Sequence, residues 1–140
     1  MKRLSIIVFF TALSLSALTF SEGHKTLVTE NPLKVEMVLL NEAFKNLIES
    51  IVRNNLHGIE EAFHDVHMAR NKTEEAIEKG EISLPKNNDK IKEFIEIDEK
   101  FHSNLEGLIK ASKKEDMKKI QQITSRLLDL CIQCHVKFRD

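Results

Sequence analysis

Cys131, Cys134 and His135 stand as Cys-x-x-Cys-His in the last ten residues of a 140-residue chain. In this pattern two thiols add to the vinyl groups of a haem and the adjacent imidazole takes an axial place on the iron. On a helix, positions 131 and 134 are i,i+3 neighbours and 131 and 135 are i,i+4 neighbours, so the three side chains leave within roughly 100° of one face. Leu127, Leu128 and Phe138 share that face. A porphyrin held there would lie against the protein interior, where exclusion of water helps set the redox potential. Two other uses of the thiols fit less well. A redox-active dithiol normally opens a helix after a strand, whereas this pair sits near the end of a long helical pattern. A zinc site would need a fourth ligand, and the remaining histidines are distant in sequence. Two cysteines three residues apart also close too small a loop to staple a domain.

The other histidines raise a rival. Glu61 precedes His64 and Glu99 precedes His102 by three residues, and Glu-x-x-His on paired helices is how ferritin-like bundles hold two irons. That pattern needs an inward glutamate from each of two further helices, yet the last helical segment has only Glu115, at its start. His64 and His102 stand beside the apolar stripes through Phe63 and Phe101, which places them on solvated flanks. A surface metal site would draw on His64, His67 or His102. His67, four residues after Phe63, is the alternative distal haem ligand.

Four helical segments must position these groups. Asn31 and Pro32 read as an N-cap and first helical position, followed by Met37, Leu40, Phe44, Leu47, Ile48, Ile51 and Val52, giving a helix over about 32 to 54. A second pattern runs through Ile59, Phe63, Val66, Ala69, Ala76 and Ile77 and stops at Gly80. Asp89 is expected to cap a third, with Ile91, Phe94, Ile95, Phe101, Leu105, Leu108 and Ile109. A polar break at Lys113 to Asp116 leads into Met117, Ile120, Ile123, Leu127, Leu128, Cys131, His135 and Phe138, a fourth helix reaching the chain end. No segment alternates with period two, and three short connections favour antiparallel neighbours. The expected fold is all-α, an up-down-up-down four-helix bundle. In such a bundle the end of the last helix lies beside the start of the first, so a distal ligand should come from about residues 33 to 45. Met37 is the only thioether or imidazole there.

The N-terminus predicts export. Lys2 and Arg3 precede an apolar run from Leu4 to Leu18, with small residues at Ala17, Thr19 and Ser21, as in a secretory signal peptide. We expect a signal over 1–21 and a single domain over 22–140, periplasmic after cleavage. Loss of Lys2 and Arg3 shifts the formal charge from -1 to -3, which argues against nucleic acid as a partner. Gly 4 and Pro 2 suit a helical protein.

Leu108 to Asp140 resembles the last helix and preceding turn of the class II c-type cytochromes, the cytochrome c-prime family. That family ends in C-x-x-C-H-x-x-[F/Y]-R, matched by Cys131, Cys134, His135, Phe138 and Arg139. The resemblance implies one covalent haem c, with Arg139 near a propionate. It also implies a distal position seven residues before an aromatic on the first helix, which Met37 occupies before Phe44. Low-spin members carry methionine there and gas-binding members an apolar residue. The family's arginine near the start of that helix has no counterpart, since Leu33 stands four residues before Met37. The expected function is single-electron transfer to redox partner proteins, with no enzymatic chemistry; the alternative is a five-coordinate haem protein that binds NO or CO. Apolar residues exposed on the first or second helix would favour a homodimer.

Overall fold

Asn31 opens the first helix: its Oδ1 accepts the Leu33 N–H at 3.0 Å, and Pro32 takes the first helical position, where its missing N–H costs nothing. The computed structural model, which describes residues 31–139, continues as α1 (Pro32–Val52), α2 (Gly58–Ala62), α3 (His64–Glu78), α4 (Ile91–Ser112) and α5 (Met117–Phe138). A 3-10 turn at Asn88–Lys90 precedes α4. The regular structure among the described residues is entirely helical, with four long helices, as the all-α reading expects. The expected signal at 1–21 lies outside the described residues. Among the described residues, no helix is long and apolar enough to cross a membrane.

Local chemistry sets the helix ends. Gly80, at φ 68°, ends α3 in a Schellman turn: its N–H reaches the Ile77 carbonyl at 2.9 Å and the Glu81 N–H reaches Ala76 at 2.8 Å. Asn54, at φ 53°, closes α1 in the same way, with the Asn55 N–H on the Ser50 carbonyl at 2.8 Å. Asp116 caps α5, accepting the Lys119 N–H at 2.9 Å.

Two boundaries depart from expectation. The second helix is broken at Phe63, whose backbone (φ -104°, ψ 4°) leaves the helical region between α2 and α3. Its ring is buried edge-on to Phe44 at 5.8 Å, and that packing outweighs helix continuity. Asp89 does not cap α4. It falls inside the 3-10 turn, and the neighbouring Asn88 side chain instead accepts the Leu84 N–H at 2.9 Å.

Helix α1 packs along α3 and α4 along α5, while α2 touches α1 and α4. One core cluster joins Leu40, Leu47, Ile59, Phe63, Leu105, Leu108, Ile120 and Leu127, with Met37 and Cys131 packed on its edge. A second joins Phe94, Phe138, Ala76, Ile82 and Leu84, and takes Leu33 and Cys134 at its margin. The first turn of α1 and the last turns of α5 therefore both contribute side chains to the second cluster.

The end of α5 is held from outside the helix. The loop before α4 supplies the Asn87 Nδ2, which donates to the Lys137 carbonyl at 2.6 Å, and the Lys86 N–H, which donates to the Phe138 carbonyl at 3.2 Å. These donors satisfy carbonyls that a helix end leaves unpaired. Asn87 takes φ 52° to do this, a left-handed conformation that asparagine tolerates. Phe138 stacks edge-on against Phe94 at 5.7 Å, and Lys137 pairs with Glu93.

Candidate functional site

The periodicity of α5 determines what each residue of its motif faces. Leu127 and Phe138 are buried, Cys131 and Cys134 are half-buried, and His135 is exposed. By helical spacing His135 lies about 40° round the axis from Cys131, on the side away from Cys134. Leu128, expected on the inward face, is instead exposed, because it lies a further ~20° in that direction. With Ile132 and Val136 it forms an exposed apolar stripe flanking His135.

Both thiols are free. Burial pushes Cys131 above the usual thiol range. Cys134 is pushed up to about 11, first by burial and then by the negative charges of Asp98, Cys131 and Glu36. A reactive dithiol needs the opposite shift, towards thiolate at neutral pH. The chemistry of the donor set suits attachment better: two reduced, half-buried thiols three residues apart, an unencumbered imidazole beside them and apolar side chains around it. Cys131, Cys134 and His135 are the residues that could hold a covalent haem.

Met37 is half-buried and packs on the cluster that also takes Cys131. In the same turn of α1, Glu36 is the fully enclosed side chain. Arg139 is exposed in extended backbone just past the helix end, its N–H on the His135 carbonyl at 3.0 Å.

The remaining histidines divide. His64 is exposed, as expected for a solvated flank; His67, the alternative distal ligand, is exposed as well and does not face inward. His102, expected on a flank, is buried at 1% exposure. Its Nε2 lies 3.0 Å from Glu36 Oε1 and 3.6 Å from Asp98 Oδ1. The Glu-x-x-His spacing does not describe this group, since Glu61 and Glu99 are both exposed. Its carboxylates come from one turn before His102 and from α1.

A signal for this cluster was present. Glu36 falls in register with Leu40, Ala43, Leu47 and Ser50, and Asp98 lies between Phe94 and Phe101; both are charges set on an otherwise buried stripe. Burial pushes the Asp98 carboxyl up to about 6, against the opposing pull of His102. Asp98 Oδ2 also stands 3.6 Å from Arg70 Nε, and Arg70 in turn bonds Glu74 at 2.7 Å.

No protein-family model, curated protein or solved structure matches this chain.

Proposed function

We propose that the chain is an exported monohaem c-type cytochrome of the class II kind, a periplasmic carrier of single electrons. Cys131 and Cys134 are its covalent anchors, His135 its proximal ligand, Met37 its distal ligand and Arg139 the partner of a propionate. The observation that carries this reading is the pair of free, half-buried thiols followed by an exposed imidazole on a helix whose end is pinned to the core. Haem c supplies a one-electron iron couple when bound. The chain's own residues fix its position, limit water and set the axial field. Helix packing that brings Leu33 and Phe138 into one cluster supports an antiparallel up-down-up-down arrangement. Val38, Ile48 and Val52 of α1 and Met68 of α3 are exposed, which favours a homodimer.

One observation favours the second reading, a five-coordinate haem that binds NO or CO: Glu36, not Met37, is the enclosed side chain of its turn. Absorption spectra of the purified protein, ferric and ferrous, with and without CO, separate the two. Low-spin spectra indifferent to CO support the carrier, ready CO binding supports the gas protein, and absence of a haem band removes both.

A further inference from the structure

A carboxylate with no exposure is costly unless all its lone pairs find partners. Glu36 is 0% exposed, and only Oε1 is engaged, by His102; Oε2 has no hydrogen-bond partner, and neither has His102 Nδ1. Asp98 adds a second carboxylate to the same small volume. The ligand atoms of Glu36, Asp98 and His102 all lie within 4.8 Å of one another, with His102 Nε2 at 3.0 Å and 3.6 Å from the two carboxylates.

Two donors bound at ~2.1 Å to one ion lie ~3.0 Å apart at a right angle and ~3.4 Å apart at a tetrahedral angle. The two distances from His102 Nε2, 3.0 Å and 3.6 Å, span these values, and the third pair lies within 4.8 Å. Two negative groups and one imidazole, drawn together where water is excluded, match what a divalent cation needs, and the cation would satisfy the unpartnered Glu36 Oε2. Arg70 Nε stands 3.6 Å from the far oxygen of Asp98, an ion-pair distance at which its charge favours the carboxylate form of Asp98.

We propose that Glu36, Asp98 and His102 form a buried binding site for a divalent first-row transition ion of the zinc class, joining α1 to α4. The donor set is one nitrogen and two carboxylates with no sulfur, which suits zinc, iron(II) or manganese; the imidazole disfavours calcium and magnesium. This site shares no residue with the Cys131, Cys134 and His135 motif, although Glu36 and Asp98 lie close enough for their charge to act on Cys134, and it does not depend on haem being attached there.

The test uses the exported full chain, stripped with chelator and dialysed against micromolar zinc. Bound zinc is counted by elemental analysis, and haem is counted separately from the iron and the protein mass. The proposal expects one zinc per chain, whatever the haem content. Glu36→Gln and His102→Gln should each weaken binding by about tenfold or more. Zinc should also raise the melting temperature of the parent chain and leave that of either variant unchanged. A folded parent that takes up no zinc overturns the proposal. So does zinc uptake that both variants retain undiminished, or uptake abolished by alkylating the thiols. Should a variant fail to fold, Asp98→Asn, at the half-buried edge of the cluster, gives the same readout.

Discussion

The Glu36 carboxylate on α1 and the His102 imidazole on α4 meet at 3.0 Å with 0% and 1% exposure, and so tie the helix that opens the fold to the helix that supports the cysteine motif. Removing one partner strands the other without solvent. His102→Leu should therefore cost about 3 kcal/mol of stability, and the double variant Glu36→Leu with His102→Leu should recover most of that loss. Urea unfolding in chelator-treated protein measures both. A double variant no more stable than His102→Leu alone would show that the pair is not the coupled unit described.

Phe138 gives the motif helix its anchorage. The ring is 3% exposed and packs on Phe94, so Phe138→Ala should cost about 3 to 4 kcal/mol. Asn87→Ala removes a donor to the Lys137 carbonyl and puts an alanine at φ 52°, and should cost about 1 to 2 kcal/mol. Amide exchange in the last turn of α5 should accelerate in both, and unchanged protection there would contradict the clamp.

In the haem-free chain Cys134 should be a slow nucleophile. Only the thiolate reacts, and with Cys134 pushed up to about 11 little thiolate exists at pH 8. Part of the loss is returned by the greater nucleophilicity of a more basic thiolate, which leaves alkylation of Cys134 about tenfold slower in the folded haem-free chain than in urea. The rate should climb with pH towards that value. A plateau below pH 9 would instead mark a redox-active dithiol.

Met37→Ala tests the distal assignment. If Met37 ligates iron, its removal leaves the iron high-spin and open to CO, read directly in the ferrous spectrum. A spectrum identical to the parent's would remove Met37 from the iron.

Much of the fold was legible because its signals are local. Asn31 and Pro32, Gly80, the apolar steps of α4 and most of those of α5 each act within a few residues, and stand where their chemistry predicts. The break at Phe63 was not legible, since it depends on Phe44, a residue on another helix. The burial of His102 was missed for a related reason. Apolar periodicity places a histidine beside a stripe, but its enclosing partner, Glu36, lies 66 residues away and is itself a charge that such a count discards. Leu128 and His67 show the converse, with spacing that allows an inward face where the packing leaves them exposed.

The proposed thioether bonds of Cys131 and Cys134 are the central claim, and the intact mass of the purified protein tests them most directly. Made in a bacterial host with active haem-attachment machinery, the chain should carry the mass of one haem that persists through denaturation and organic extraction. The mass of the polypeptide alone under those conditions would contradict the account.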